Sequence, residues 1–345
     1  MNLLAFFLVL TSPLRIYDNT TLPPNGEYHQ PVIIMADNIT FDCNGSTFIG
    51  DKTGVGILLQ RRSGVTIRNC RVRNFDVGLY VQQGRNFLFE RNDFSGNYVD
   101  DDYNVEDLKP YPHGGVILNA VQRSRLVGNR SDGNMHGIQV LNSSRMLLLQ
   151  NTTSKNRGWG IYFYGTTASQ VFSNTVDYNN RSCPQWGKDA GCGAAGIVLT
   201  QQSDHNFIGW NTMRYNGDGI YQGNTPESAS NDIEMFNNVI ANSIANGIEA
   251  TFSKGNYIHH NSFDGDNYGA WLGFAQYGRF EFNWVRNART KSVQADNAQF
   301  MQFVGNTIEG ADILLQSVEG GVCKGNTQER NTFKSAQFQT PGCQP

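Results

Sequence analysis

Charged residues make up only 17% of this 345-residue chain, and proline occupies only ten positions. A chain so poor in the long charged side chains that favour helices is not expected to form a helical bundle. The shortage of charge also bears on partners. The formal charge is −3, and no Lys/Arg cluster is interleaved with aromatic residues, so there is no basic field to draw in phosphates and nucleic acid is not expected as a partner. Long apolar runs are missing as well, and no segment is expected to span a bilayer. The run Leu3-Leu4-Ala5-Phe6-Phe7-Leu8-Val9-Leu10 has the length of a signal-peptide core. Residues 1–12 are therefore read as a signal peptide or its remnant, which implies a secreted, periplasmic or extracellular location, and a strand capping the first coil is the alternative. Neither a C-x-x-C spacing nor the paired Cys/His spacing of a tetrahedral zinc site is present. The six cysteines are instead expected to pair as Cys43–Cys70, Cys183–Cys192 and Cys323–Cys343, in an oxidising compartment.

What the chain does contain is glycine, at 37 positions, and frequent Asn, a composition of many turns. A local pattern, x-Gly-aliphatic-z-aliphatic, returns down the chain. It reads Val55-Gly56-Ile57-Leu58-Leu59, Val77-Gly78-Leu79-Tyr80-Val81, His136-Gly137-Ile138-Gln139-Val140, Trp159-Gly160-Ile161-Tyr162-Phe163, Asp218-Gly219-Ile220-Tyr221-Gln222 and Asn246-Gly247-Ile248-Glu249-Ala250, among others. Later turns near Val293 and Ile313 lack the glycine. A second marker follows at Asn92, Asn129, Asn151, Asn174, Asn211, Asn237, Asn261, Asn283, Asn306 and Asn326. The usual interval of about 22 residues leaves room for two or three short strands and none for a helix, which is one rung of a parallel β-helix. The expectation is an all-β, single-stranded right-handed parallel β-helix of about eleven coils, a single domain over residues 13–345 with loop insertions near 96–113 and 178–193. Ile57, Leu79, Val116, Ile138, Ile161, Ile197, Ile220 and Ile248 would form its interior column. The Asn residues would stack as an amide ladder at one corner, since Asn both donates and accepts and tolerates left-handed backbone.

The Gly-Ile-z-aliphatic strand with its Asn corner resembles the carbohydrate-binding and sugar-hydrolase β-helix repeats of NosD-type proteins over about residues 30–335. Within that superfamily, His136-Gly137-Ile138 and Asp218-Gly219-Ile220 are similar to segments of mannuronan C5-epimerases. The resemblance implies a groove for polysaccharide and a groove histidine acting as a base. The Tyr-Gly-x-Asp-Pro-His signature of those epimerases is absent, so the repeat specifies fold more than chemistry.

Alternation along each strand sends the aliphatic residues inward and the z column outward: Leu58, Tyr80, Ile117, Gln139, Tyr162, Val198, Tyr221, Glu249, Trp271 and Gln294. Its aromatics suit stacking on sugar rings, with the intervening glycines leaving the approach open. The two insertions, three coils and so about 14 Å apart, would wall a cleft around Gln139, Trp159, Tyr162 and Tyr164, with His113 at its edge. Asp100, Asp101 and Asp102 in the first insertion read either as a solvated loop or as a Ca²⁺ site; no cofactor is otherwise called for. Asp218 and Glu249, on neighbouring coils beside Tyr221, Asn246 and Trp271, form a carboxylate pair of the kind glycosidic hydrolysis needs. The alternative uses His136 and Tyr162 to take a C5 proton from a uronate, as a polysaccharide lyase or epimerase would. A non-catalytic β-helix displaying a carbohydrate-binding face is the third reading. The composition says nothing of oligomeric state.

Overall fold

The computed structural model describes residues 12–98, 110, 112–181, 193–223, 225–310, 313–316, 322–324 and 327–329. Its strands build three parallel faces of a right-handed solenoid. The first sheet has 13 strands in strict chain order, from Leu14–Ile16 to Ile313–Gln316, and the second has 13, from Thr20–Thr21 to Val322–Lys324. The third face is a three-stranded sheet, Glu27–Tyr28 to Arg71–Arg73, and a six-stranded sheet, Thr212–Arg214 to Thr327–Glu329. Single bridges through Asp93, Arg130, Thr152 and Thr175 join the two. The first sheet therefore counts two rungs more than expected. Leu14–Ile16 and Val32–Ile34 are rungs without the Gly marker, and so they escaped the repeat search.

The register is the one the repeat implies. Ile57, Leu79, Val116, Ile138, Ile161, Ile197, Ile220 and Ile248 pair rung to rung, and each is fully buried. They belong to one continuous apolar core that runs from Ile16 to Ile308. No rung could bury this face alone; stacking removes it from water and pairs the backbone at the same time.

The glycine column has a different cause from the one its sequence position implied. A Cβ on Gly56, Gly78, Gly115, Gly137, Gly160, Gly196, Gly219, Gly247 or Gly269 would come within 3.0 Å of the backbone carbonyl at the equivalent position of the next rung. The glycines permit backbone to stack on backbone at a tight corner; they are not a device for opening the outer surface to a ligand.

The amide ladder is present. Asn92, Asn129, Asn151, Asn174, Asn211, Asn238, Asn261 and Asn283 each donate through Nδ2 to the Oδ1 of the next member, ending at Asn306, at 2.9–3.1 Å. One member differs from expectation: Asn238 holds the place assigned to Asn237, which instead takes the left-handed corner before it, at φ 52°. Asn326 lies outside the described residues. A second amide column at another corner, Asn97, Asn134, Asn156, Asn179 and Asn216, was not foreseen. Cys43 and Cys70 are disulfide-bonded, and Cys70 heads the first ladder by donating its N–H to Asn92 Oδ1. Cys183, Cys192 and Cys343 are outside the described residues, as is the side chain of Cys323. Among the described residues there is no helix long and apolar enough to cross a membrane.

Candidate functional site

The z column stacks in register on the outer face of the first sheet, from Leu58 through Tyr80, Ile117, Gln139, Tyr162, Val198, Tyr221 and Glu249 to Trp271 and Gln294. It is not a uniformly open platform. The x and z positions of its middle rungs form a second buried apolar cluster that includes Val77, Ile117, Met135, Trp159, Tyr162, Ala195 and Val198. Chain at the edges of both insertions packs there: Gln139 Nε2 donates to the His113 carbonyl at 3.1 Å and Trp159 Nε1 to the Gly193 carbonyl at 2.8 Å.

This burial corrects the expectation of a cleft lined by Gln139, Trp159 and Tyr162. Those three and His136 are all 0% exposed. His136 stacks on Trp159 with ring centroids 4.4 Å apart, and its Nδ1 accepts the Trp159 N–H at 3.0 Å. Burial, and secondarily the positive charge of Arg181, holds the imidazole far below its ordinary range, at about 3. Tyr162 Oη is within hydrogen-bond distance of Thr200 Oγ1, at 3.1 Å. His136 and Tyr162 are thus both buried beside the apolar x and z residues of the mid-solenoid. Tyr164 lies half-buried at the edge of this cluster. His113 stacks on Tyr98, with centroids 4.4 Å apart. Tyr80 lies three rungs from Tyr162 and donates its hydroxyl to Gln82 Oε1 at 2.6 Å. Asp100, Asp101 and Asp102 lie outside the described residues; among the described ones no group of three or more His, Cys, Asp or Glu could hold a metal ion.

Two rungs beyond Tyr162 the column changes character, and here the structure gathers Asp218, Tyr221, Asn246, Glu249 and Trp271. Asp218 and Asn246 occupy x positions of successive rungs, while Tyr221, Glu249 and Trp271 are successive z residues. Asn246 is the hinge of the arrangement. Its backbone N–H and its Nδ2 both donate to Asp218 Oδ1, at 2.8 and 2.9 Å, and Nδ2 also donates to Glu249 Oε2 at 2.9 Å. One amide nitrogen therefore ties the two carboxyls together. Their bonded oxygens are at most twice 2.9 Å apart, so the two acid groups face one site together. Asp218 is 7% and Asn246 3% exposed, whereas Tyr221, Glu249 and Trp271 are partly exposed. The pair is thus buried at its base and reachable from its Glu249 side.

Two carboxyls so close in so dry a place cannot both ionise readily. Burial pushes the Glu249 carboxyl well above the ordinary carboxylate range, and the charge of Asp218 pushes it further. Burial raises Asp218 too, but the two Asn246 hydrogen bonds favour its ionised form. Both carboxyls of the pair are thus pushed upward, and the extra backbone hydrogen bond from Asn246 favours the ionised form at Asp218. Tyr221 is held strongly protonated, by burial first and then by both carboxyls. Trp271 stacks on Tyr268 with ring centroids 5.8 Å apart, giving the open flank an aromatic wall.

Asp266 was not foreseen. It is 1% exposed and accepts the Ser243 N–H at 2.7 Å, and burial pushes its carboxyl up to about 7. A Cβ added at Gly247 would lie 3.0 Å from Asp266 Oδ2, so this carboxyl backs the strand that carries Asn246 and Glu249. Its signal in the sequence was an Asp standing where the second amide column would continue.

A family model described as "Right handed beta helix region" matches residues 32–212 and 190–342. No curated protein matches the chain. Among solved structures, a mutant of the periplasmic alginate epimerase AlgG is similar at a TM-score of 0.63 and 12% identity, over 89% of this chain and 78% of that one. The alginate lyase AlyF-OU02, solved in complex with G6, gives 0.55 and 14% over 91% and 75%. The A-module of the Azotobacter vinelandii mannuronan C-5 epimerase AlgE6 gives 0.51 and 14% over 93% and 81%. At such identities the likeness is one of fold.

Proposed function

The chain belongs to the right-handed β-helix region family, and from that premise we propose that it is an exported polysaccharide-active enzyme that cleaves glycosidic bonds at Asp218 and Glu249 with retention of configuration. The observation that carries the proposal is the single amide of Asn246 bonded to both carboxyls, which holds the two acids at short range. Glu249, protonated and on the accessible side, gives its proton to the leaving glycosidic oxygen. Asp218, ionised and oriented by Asn246, attacks the anomeric carbon to form a glycosyl ester. Water, deprotonated by the Glu249 carboxylate, then releases the sugar. Trp271 and Tyr221 border the site as faces on which sugar rings stack. Export accords with the Cys43–Cys70 disulfide.

A second reading is kept for a specific reason. The three similar structures are named as alginate epimerases and an alginate lyase, and Tyr221 is a firmly protonated phenol beside an ionised carboxylate. Elimination or C5 inversion would use Asp218 as the base and Tyr221 as the acid, in place of the buried His136 and Tyr162. The test is a product analysis on a panel of neutral and uronic polymers. New reducing ends without unsaturated sugar, the first product keeping its anomeric configuration by NMR, are the expected result. Ultraviolet absorbance of an unsaturated uronate assigns a lyase, inversion at C5 without cleavage assigns an epimerase, and binding with no product leaves a carbohydrate-binding module.

A further inference from the structure

At the N-terminal end of the same outer face, the first rungs enclose a groove of about 650 Å³ whose lining includes Arg15, Arg61, Arg62, Gln60, Gln82 and Gln83. Two features make it more than a patch of surface charge. The first is its backbone. The strands Val55–Ser63 and Val77–Arg85 are nine residues long and carry a left-handed residue at the same place, Arg61 at φ 53° and Gln83 at φ 61°. Pairing omits these two and resumes at Arg62 with Gly84, so the same left-handed corner is stacked in both rungs. Strict alternation would send neighbouring side chains to opposite faces; the stacked left-handed corners bring Arg61 with Arg62, and Gln82 with Gln83, to one groove.

The second is the state of the charges. Arg68, Arg73, Arg279 and Arg286 elsewhere on the solenoid pair with carboxylates. The three groove arginines have only uncharged partners among the described residues: Met35 Sδ for Arg15, Gln83 Oε1 for Arg61 and the Ile34 carbonyl for Arg62. No acidic residue lines the groove. Gln82 Oε1 is already occupied by donors, Tyr80 Oη at 2.6 Å and Asn119 Nδ2 at 3.2 Å, which leaves its Nε2 as a donor to a ligand. Three uncompensated guanidinium groups, amides that suit hydroxyls and the apolar side chains of Ile33 and Leu58 together match a sugar ring that bears an oxyanion.

We propose that this groove is a binding subsite for the oxyanion, carboxylate or sulfate ester, of an acidic carbohydrate. It rests on the reading of the outer face as a polysaccharide track, and it names the charge of the polymer. Leu58 is seven rungs from Glu249 in the stack, about 34 Å at the usual strand spacing, so the groove is separate from the carboxylate pair.

Binding to the full chain tests the proposal without any turnover. Hexamers of a uronate, of a sulfated sugar and of a neutral sugar are titrated by calorimetry into the Asp218→Asn/Glu249→Gln protein, with and without Arg15→Gln/Arg61→Gln. Both arginines are exposed, and circular dichroism checks that the variant is folded. At least tenfold loss of affinity for one or both acidic hexamers, weakening with salt, and no change for the neutral one is the expected result; which acidic hexamer responds identifies the oxyanion. Equal affinity of both proteins for the acidic hexamers overturns the proposal, as does a loss shared by the neutral one. If the wild type processes no polymer in the product panel while the acidic hexamers still bind through these arginines, the catalytic reading fails and the subsite stands.

Discussion

Replacing Glu249 by Gln should lower activity and raise stability at once, and the pH at which each change shows is fixed by the site. The substitution keeps an acceptor for Asn246 Nδ2, which lies 2.9 Å from Glu249 Oε2, and removes only the titrating proton. A general acid contributes ~10²–10⁴-fold to rate, so kcat should fall by that factor with little change in KM, and the alkaline limb of the pH–rate profile should disappear. The stability effect follows from linkage. Glu249 titrates higher in the folded protein than its ordinary 4.5, because of burial and then Asp218. Its favourable contribution is therefore complete below about pH 4.5 and lost as pH climbs through the raised folded value. Each unit of that rise is worth ~1.4 kcal/mol, and the group is mostly buried, so even a one-unit shift is measurable by urea denaturation. Glu249→Gln should be more stable than wild type by at least ~1.4 kcal/mol above the folded value, with the two converging in acid. Wild-type turnover with an intact alkaline limb, or a stability difference independent of pH, would refute the assignment of the proton to Glu249.

His136 gives the opposite sign. It is held neutral, at about 3 against an ordinary 6.5, so its contribution is present above pH 6.5 and lost as pH falls. His136→Asn keeps an acceptor for the Trp159 N–H, and denaturation curves should show a smaller loss of stability than wild type between neutral pH and about pH 3; activity measured at neutral pH should change less than threefold. In the ladder, Asn174 donates to the Leu148 carbonyl and Asn211 Oδ1 and accepts from both nitrogen donors of Asn151. Four buried hydrogen bonds at ~0.5–1.5 kcal/mol each put Asn174→Ala at a cost of about 2–6 kcal/mol by chemical denaturation; a loss under ~1 kcal/mol would mean the ladder is ornamental.

The architecture was legible in the sequence because a solenoid converts sequence interval into spatial neighbourhood. A repeated Gly-Ile pair and a repeated Asn each mark one point on every rung, and two such marks fix the register of every strand between them. What escaped was whatever lacked a mark. The first two rungs have no Gly because their strands, Leu14–Ile16 and Val32–Ile34, begin beyond the tight corner that demands one. The second amide column was hidden because its positions stop being Asn after Asn216, passing to Ser243 and Asp266. At Asn237-Asn238 the sequence held two identical candidates, and only the left-handed corner decides between them.

The site was legible only in part, for a related reason. Register told which side chains stack, and spacing alone put Asp218, Tyr221, Asn246, Glu249 and Trp271 on the neighbouring rungs where the strands pair them. Register says nothing about what covers a face. Both insertions were visible as long intervals, yet an interval does not tell which side chains of the sheet are open and which are buried. The x column supplies that information. Its upper members, Val77, Trp159 and Ala195, are apolar and attract a cover. From Asp218 it turns polar, with Asn246, and the pair of carboxyls keeps a partly open flank. The partly exposed z residues Tyr221, Glu249 and Trp271 thus begin just past the rungs where Trp159, Tyr162 and Val198 are fully buried.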